Sequence, residues 1–112
     1  MRDTIRRFGE NVSSAFLESV IMKEDGVLEC AAVGVPSAAT GEEIHLAVVP
    51  AAGVTLDPEA FSARLRAVLP RHMVPAHVSI GERLPKTPNG KIRKVDLRRA
   101  GVPAGAWSAR AS

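Results

Sequence analysis

The sequence predicts a small α+β domain, with a three-stranded sheet flanked by helices and an extended or hairpin lead-in before the first helix. Three observations support this class. Apolar residues recur at helical spacing in residues 16–21 and 61–69. Apolar or alternating stretches at 27–35 and 44–49 are typical of strands. A chain of 112 residues has the length of one domain.

The first elements are a lead-in and a helix. Residues 2–9 are polar and basic, and Gly9 breaks the segment, which indicates an extended or hairpin form. Ser13 or Ser14 is a suitable N-cap for a helix whose apolar side comprises Phe16, Leu17, Val20 and Ile21. We expect this helix to end near Gly26, because glycine readily adopts the backbone conformation that terminates helices.

The middle of the chain predicts two strands and a second helix. A strand over 27–35 and another over 44–49 are separated by a loop, and Pro50 ends the second strand. Asp57, followed by a proline, is a strong helix start. The apolar face of that helix is expected to comprise Phe61, Leu65, Val68 and Leu69, and Pro70 stops it.

The last part predicts less regular structure. Residues 78–80 suggest a third, short strand, and residues 96–99 suggest a final helical turn. The segment 101–112 is rich in alanine, glycine and serine, and we expect it to form a flexible tail.

The formal net charge of the chain at pH 7 is +3, and its basic residues are unevenly distributed along the sequence. One cluster opens the chain at Arg2, Arg6 and Arg7, and a second comprises Arg83, Lys86, Lys91, Arg93, Lys94, Arg98 and Arg99. Such clusters indicate anionic partners. The aromatic share of only 4% argues against a nucleic-acid-binding surface of stacked bases.

Several other classes are disfavoured. The single cysteine, Cys30, permits no internal disulfide, and its apolar surroundings predict a buried, inert thiol. His45 and His77 have no metal-ligand spacing, so we interpret both as structural and predict no metal site. We find no stretch long enough to span a membrane and no signal-peptide core, and we predict a cytoplasmic location.

The stretch Pro85–Lys94, with the sequence PKTPNGKIRK, is the most informative in the chain. Two prolines restrict its backbone, and Asn89-Gly90 is a strong turn signal. Lys91 follows directly, so the turn holds a compact positive charge that can be aimed at an anion. On composition alone, an ordinary surface turn is the simpler interpretation.

This stretch resembles the last core motif of the adenylate-forming ligases, which include acyl-CoA synthetases, peptide-synthetase adenylation domains and luciferases. The family pattern P-K-T-x-x-G-K-I-x-R is matched at Pro85, Lys86, Thr87, Gly90, Lys91 and Ile92. The chain departs from it at Lys94, where arginine is usual. This change keeps the charge but loses the planar guanidinium.

The beginning of the chain resembles a second signature of the same family. Arg2 and Asp3 precede the run Gly9-Glu10-Asn11-Val12-Ser13, in a form similar to carnitine/crotonobetaine- or fatty-acyl-CoA ligases. The resemblance covers residues 2–100. It implies a hinge and lead-in loop at 1–12 and an AMP-binding enzyme C-terminal domain at 13–100, followed by the tail at 101–112.

The resemblance also implies roles for residues. Arg2 and Asp3 fall at the hinge, and Lys91 falls on the lysine that enters the active site during adenylation. Gly9, Glu10 and Asn11 fall on the loop that replaces it during thioester formation, and the candidate contacts with the CoA nucleotide are Arg71 and His72. Pro85, Lys86, Thr87 and Gly90 support Lys91, which is also implied as a target of a lysine acetyltransferase and deacetylase.

The implied activity is that of an AMP-forming acid–thiol ligase with ATP, an acyl substrate and CoA as substrates. The phosphate loop of the family is not found in this sequence, so a large adenylating domain is the expected partner, and Mg²⁺ is expected through that domain. We therefore expect no activity and no stably bound cofactor in the chain alone. A stand-alone module that binds CoA or a nucleotide, or that docks on another domain, is the alternative, and a small nucleic-acid-binding protein is the least favoured.

Overall fold

The order of elements in the computed structural model follows the predicted order, with additional strands. The structure describes residues 4–7, 9–38 and 41–109, so the predicted hinge residues Arg2 and Asp3 lie outside the described part. The strands are β1 (Thr4–Arg7), β2 (Glu10–Ser13), β3 (Val27–Ser37), β4 (Gly41–Pro50), β5 (His77–Ile80) and β6 (Trp107–Ser108). The helices are α1 (Ser14–Ile21), α2 (Pro58–Val68) and α3 (Lys94–Ala100), with a 3₁₀ turn at Arg71–Met73.

The described strands form one six-stranded sheet, in which β4 is the central strand. Antiparallel β3 pairs along one side of β4, while the other side pairs with β1 at Gly41 and with parallel β5 at His45–Val48. The α+β class and the hairpin lead-in are therefore confirmed. The predicted sheet of three strands was too small, because the β1–β2 hairpin and β6 also join it.

Both faces of the sheet are covered. On one face Ile44, Leu46 and Val48 of β4 belong to the main core, which also contains Leu17 and Ile21 of α1 and Phe61 and Leu65 of α2. On the other face a smaller cluster of buried residues comprises Ala31, Ala47, Val49 and Leu84, with Ile92 and Leu97 packed against it. Burial on both faces explains why β4 is a nearly continuous apolar run rather than an alternating one.

Two residues expected on apolar helix faces are exposed instead. Ser13 caps α1, since its Oγ accepts a hydrogen bond from the Phe16 N–H at 3.2 Å. The Phe16 side chain lies outside the core and is 58% exposed, and Val68, in the last turn of α2, is 57% exposed. Helical spacing placed both residues at the edge of an apolar face, where a small rotation of the helix decides burial.

The flexible tail predicted at 101–112 is attached to the sheet in its described part. Trp107 and Ser108 pair with β5, and the Ala109 N–H donates to the Ala76 carbonyl at 2.7 Å. The half-buried Trp107 side chain packs against the main core. A two-residue strand with one large apolar side chain gives too short a pattern to detect in the sequence.

Cys30 lies in β3 and is buried, as the sequence predicted. Burial raises the pKa of its thiol to about 12, and the neighbouring carboxylate of Glu18 also raises it. The thiolate, which is the reactive form, is therefore scarce at neutral pH. Within the described ranges, no helix is long and apolar enough to cross a membrane.

Candidate functional site

Residues 85–93 form a tight hairpin whose tip carries Lys91. The Thr87 N–H donates to the Lys91 carbonyl at 2.7 Å, and the Gly90 N–H donates to the Thr87 carbonyl at 2.9 Å. The Thr87 Oγ1 accepts a third bond from the Lys91 N–H at 3.1 Å. Gly90 has a φ of 86°, a conformation that glycine adopts without steric cost. Thr87 and Gly90 therefore fix the backbone of Lys91.

The base of this Lys91 hairpin is attached to the sheet, whereas its tip is exposed. The Arg93 N–H donates to the Pro85 carbonyl at 2.8 Å, and Ile92 packs against the smaller core cluster. Lys86 forms an ion pair with Glu29 of β3. The side chain of Lys91 is exposed and contacts none of the acidic side chains that the structure describes. A scaffold thus holds an accessible cation at the tip of a defined turn.

Lys94, where the family pattern has arginine, points back into the domain. Its Nζ lies 2.6 Å from the Glu18 Oε2 and donates to the Ser14 Oγ at 3.2 Å. Arg93 pairs with Asp96 at 2.8 Å, and Arg98 and Arg99 are exposed on α3. Only some side chains of the second basic cluster are therefore exposed to solvent.

The second motif lies in the turn between β1 and β2. Arg7 and Glu10 are paired, so the connection is a two-residue loop, and Gly9 has a φ of 74° in it. A Cβ built on Gly9 would meet nothing within 4 Å. Positive φ favours glycine here, and the turn leaves open space around it.

The structure brings the other candidate CoA residues close to this turn. The Glu10 Oε2 lies 4.0 Å from the His72 Nδ1 in the 3₁₀ turn. Arg7 donates to the Val74 carbonyl at 2.6 Å, and burial lowers the pKa of its guanidinium, with Glu43 raising it and Arg71 lowering it. Asn11 accepts a bond from Arg6 at 3.1 Å. The Gly9 turn and the Arg71–Met73 segment therefore form one neighbourhood, although they are distant in sequence.

The Lys91 hairpin and the Gly9 turn are attached at opposite ends of β4. The turn is attached through Arg7, which pairs with Gly41, and the hairpin is attached through Glu29, which pairs with Val49. Gly41 and Val49 are eight residues apart, which corresponds to about 26 Å along a strand. These two attachment points are therefore well separated along β4.

Two acidic residues of this region were missed by the sequence analysis. Glu18 pairs with Lys94, and Glu29 pairs with Lys86. Both acids lie within otherwise apolar segments, and carboxylates are seldom buried without a partner. This placement was the signal from which two ion pairs could have been predicted. The sequence could not identify the partners.

His45 and His77 make hydrogen bonds within the domain. His45 is fully buried, and its Nε2 lies 2.8 Å from the Ser79 Oγ. His77 bridges the Ser108 Oγ at 2.7 Å and the Glu43 Oε1 at 3.4 Å. In the part of the chain that is described, no three histidine, cysteine or acidic side chains are grouped to hold a metal ion.

Burial of His45 predicts a pH-dependent stability. Burial lowers the pKa of His45 from its ordinary value of 6.5, and His77 lowers it further. The unfolded chain therefore binds a proton more tightly than the folded protein. The contribution of His45 to the free energy of unfolding is complete above pH 6.5 and is lost as the pH falls through the lower folded pKa.

Urea unfolding at neutral and mildly acidic pH measures this effect. We expect the free energy of unfolding to decrease toward acidic pH, and the decrease to be smaller in His45→Gln. The parent protein, unfolded over the same pH range, is the reference. An unchanged pH dependence in His45→Gln would contradict the interpretation.

Comparison with known proteins identifies the family. The family model for the AMP-binding enzyme C-terminal domain matches residues 17–91. A feruloyl-CoA synthase from an Amycolatopsis species is 39% identical over 99 residues, which are 88% of this chain and 20% of that protein. A long-chain-fatty-acid–CoA ligase from Salmonella typhimurium is 40% identical over 97 residues, which are 87% of this chain and 17% of that protein.

The solved structures agree with the sequence matches. The ATP-bound structure of MatB from Rhodopseudomonas palustris has a TM-score of 0.82 and 32% identity, over 88% of this chain and 20% of that one. The chain belongs to the AMP-binding enzyme C-terminal domain family, as its two motifs predicted. It spans about a fifth of the length of the relatives that it matches.

Proposed function

We propose that this chain is the mobile C-terminal domain of an ATP-dependent acyl-CoA synthetase. In this role it supplies Lys91 for adenylation and the Gly9 turn for thioester formation to a large domain that carries the rest of the active site. The observation that best supports the proposal is the separation of the two motif-bearing turns at opposite ends of β4. One domain with two such turns suits a reaction in two steps.

The first step needs a cation. A carboxylate attacks the α-phosphate of ATP, an acyl-adenylate forms, and pyrophosphate leaves. Attacking carboxylate and phosphate repel each other, and negative charge develops on the phosphoryl oxygens. A lysine ammonium group held by a fixed turn offsets both the repulsion and the developing negative charge. Because it does not have to reorganise during the reaction, its electrostatic stabilisation is efficient. Lys91, exposed at the tip of its hairpin, has these properties.

The second step needs space. The CoA thiol attacks the acyl carbonyl, the thioester forms, and AMP leaves. The thiol arrives at the end of a long, thin chain, so the surface lining its path should lack bulky side chains. Gly9 leaves open space at the β1–β2 turn, and Arg7 and Arg71 lie near it as cations suited to nucleotide phosphates. His72 lies beside Glu10 of the same turn and adds ring nitrogens that can hydrogen-bond. A rotation of the domain about the Arg2–Asp3 hinge would exchange the two turns.

The remaining elements of the proposal concern partners and setting. ATP, AMP and CoA are substrates of the complete enzyme, Mg²⁺ enters through the large domain, and none of these is held stably by this chain alone. A fatty-acyl or related carboxylic acid is the proposed substrate class, and the cytoplasm is the proposed location. Acetylation of Lys91 by a lysine acetyltransferase, reversed by a deacetylase, would remove the positive charge and stop the first step.

A stand-alone module that binds CoA or a nucleotide is the second candidate. It is favoured by one observation, namely that Arg7 and Arg71 already lie close together within the domain, where they could attract phosphate groups. Titration of the chain with CoA in a calorimeter separates the two functions. Binding without any large domain would favour the module.

Reconstitution tests the main proposal. The large domain of the Amycolatopsis feruloyl-CoA synthase, without the segment that this chain matches, would be mixed with or fused to this chain and supplied with ferulate, ATP and Mg²⁺. We expect pyrophosphate release to rise well above that of the large domain alone. The same large domain with its own C-terminal segment is the positive control.

The outcome is decided by the comparison with the large domain alone. No gain in either the mixed or the fused form, when the positive control is active, would contradict the proposal. A gain in pyrophosphate release that is lost in Lys91→Ala would support it, since this variant changes one exposed side chain and leaves the sheet untouched.

A further inference from the structure

The Lys91 hairpin is tied to the rest of the domain by ion pairs on both sides of its tip. Before the tip, Lys86 pairs with Glu29 of β3. After the tip, Lys94 at the start of α3 pairs with Glu18 of α1 at 2.6 Å. The two carboxylates lie on different elements, so the hairpin is anchored at two separate points.

Both anchors converge on β3. Glu29 belongs to this strand, and the Glu18 Oε2 accepts the Ala32 N–H, also of β3, at 2.8 Å. Glu29 and Ala32 are three residues apart, which is about 10 Å along the strand. Since β3 pairs only with β4 among the described strands, the Glu18 carboxylate covers its outer edge.

The Glu18–Lys94 pair therefore joins the two layers of the domain. Leu17, next to Glu18, belongs to the core on one face of the sheet, and Leu97, one turn after Lys94, packs on the other. Lys94 also donates to the Ser14 Oγ, which is buried at the start of α1. A flexible four-carbon side chain with three donors can reach both partners, which gives the lysine at this position a structural role.

The Glu18–Lys94 pair is more enclosed than an ordinary surface pair, whereas the Lys86–Glu29 pair is partly exposed. The side chains of Lys94 and Glu18 are 16% and 19% exposed, and those of Lys86 and Glu29 are 37% and 27% exposed. Solvent screening is weaker for the Glu18–Lys94 pair, and loss of one of its partners leaves the other charge poorly solvated. The hairpin is therefore held in one position, rather than resting on the surface.

We propose that Glu18 and Glu29 are positioning residues for Lys91. They act through Lys94 and Lys86, which fix the two sides of the hairpin, and they do not touch the substrate. This inference rests on the proposed adenylation role of Lys91. It adds that the first half-reaction depends on two carboxylates outside the motif, whereas the second half-reaction, served by the Gly9 turn at the far end of β4, does not.

The test uses the reconstituted enzyme and measures the two half-reactions separately. In Glu29→Gln, which keeps the size of the side chain but removes its charge, we expect pyrophosphate release to fall about tenfold, because a misplacement of about 1 Å can cost about 10²-fold and one of two anchors remains. Thioester formation from supplied feruloyl-adenylate and CoA should stay at the parental rate. Glu18→Gln should show the same division, and Glu59→Gln, an exposed acid on α2, is the control.

A charge exchange distinguishes positioning from general damage. Lys86→Glu alone should be defective in pyrophosphate release, and combining it with Glu29→Lys should recover most of the loss, because the ion pair is restored with opposite polarity. Hydrogen exchange of the Thr87 and Lys91 amides in the 112-residue chain supplies a second readout. We expect both amides to exchange severalfold faster in Glu29→Gln, because they bond across the hairpin.

The outcomes separate this inference from the proposed function. Parental pyrophosphate release in Glu18→Gln and Glu29→Gln, while Lys91→Ala is inactive, would overturn the positioning role alone. Equal loss of both half-reactions, or no recovery in the exchanged pair, would also overturn it. Parental activity of Lys91→Ala would instead overturn the proposed function. Urea unfolding would reveal whether Glu18→Gln folds. If it does not, the variants of the more exposed Glu29–Lys86 pair still test the positioning role.

Discussion

Replacing Lys91 with alanine in the reconstituted enzyme is expected to lower pyrophosphate release by about 10²–10³-fold, which is the effect of removing one preorganised group that stabilises developing charge. Thioester formation from supplied feruloyl-adenylate and CoA is expected to continue at the parental rate. The reason is geometric, since the Lys91 hairpin and the Gly9 turn are attached at opposite ends of β4.

Two further variants refine this result. Lys23→Ala removes another lysine, exposed just after α1, and should leave both half-reactions unchanged. Lys91→Arg keeps the charge on a longer, planar group and should recover only part of the rate. A measurement in which Lys91→Ala slows both half-reactions equally would show that the lysine is needed for folding or docking rather than for adenylation.

Folding is not expected to account for the loss in Lys91→Ala. The side chain is exposed, and the bonds that shape its turn are made by the backbone and by Thr87. Exposed substitutions of this kind change stability by about 0.5 kcal/mol or less. Urea unfolding of the variant therefore serves as the measurement that separates a catalytic defect from an unfolded chain.

The sequence predicted the fold where the signal was local. Prolines and Asp57 marked the limits of α2, and the apolar stretches marked β3 and β4. The sequence underestimated the number of strands in the sheet, because the additional strands are short and pair with distant parts of the chain. The β1–β2 hairpin meets β4 through a single Arg7–Gly41 pairing, and β6 is only two residues long. A pattern of side chains cannot indicate such pairings.

The site was predicted unevenly for the same reason. The Pro-Asn-Gly chemistry of residues 85–90 was sufficient to predict a turn, and the structure contains it. The partners of the two lysines that flank the turn were not predictable, because they are distant in sequence. Glu29 is 57 residues from Lys86, and Ser14, which bonds to Lys94 beside Glu18, is 80 residues from it. The proximity of Glu10 and His72 likewise depends on how the hairpin packs against the 3₁₀ turn.

The complementary prediction concerns Gly9. In Gly9→Leu we expect thioester formation from feruloyl-adenylate and CoA to fall about ten- to hundredfold, because a branched side chain at this turn would obstruct the approach of the thiol. Pyrophosphate release should stay near the parental rate, since the Lys86–Glu29 pair attaches the Lys91 hairpin at the other end of β4.

Backbone strain is the competing explanation, and the chain offers a matched control. Gly9 and Gly53 have φ values of 74° and 76°, and a Cβ on either would meet nothing within 4 Å. Leucine at either position therefore has a similar conformational cost from the positive φ, and its Cβ meets no neighbouring atom. Gly53→Leu, in the loop before α2, should lower stability as much as Gly9→Leu but leave both half-reactions intact.

The paired variants decide whether the Gly9 turn faces the thioester step. A selective loss of thioester formation in Gly9→Leu but not in Gly53→Leu would mean that space outside the domain, next to the β1–β2 turn, is used by the second substrate. Equal behaviour of the two variants would contradict that role. Together with Lys91→Ala, the expected result is a reciprocal pattern in which each end of β4 serves one half-reaction, and a domain with that pattern has to reorient between the two steps.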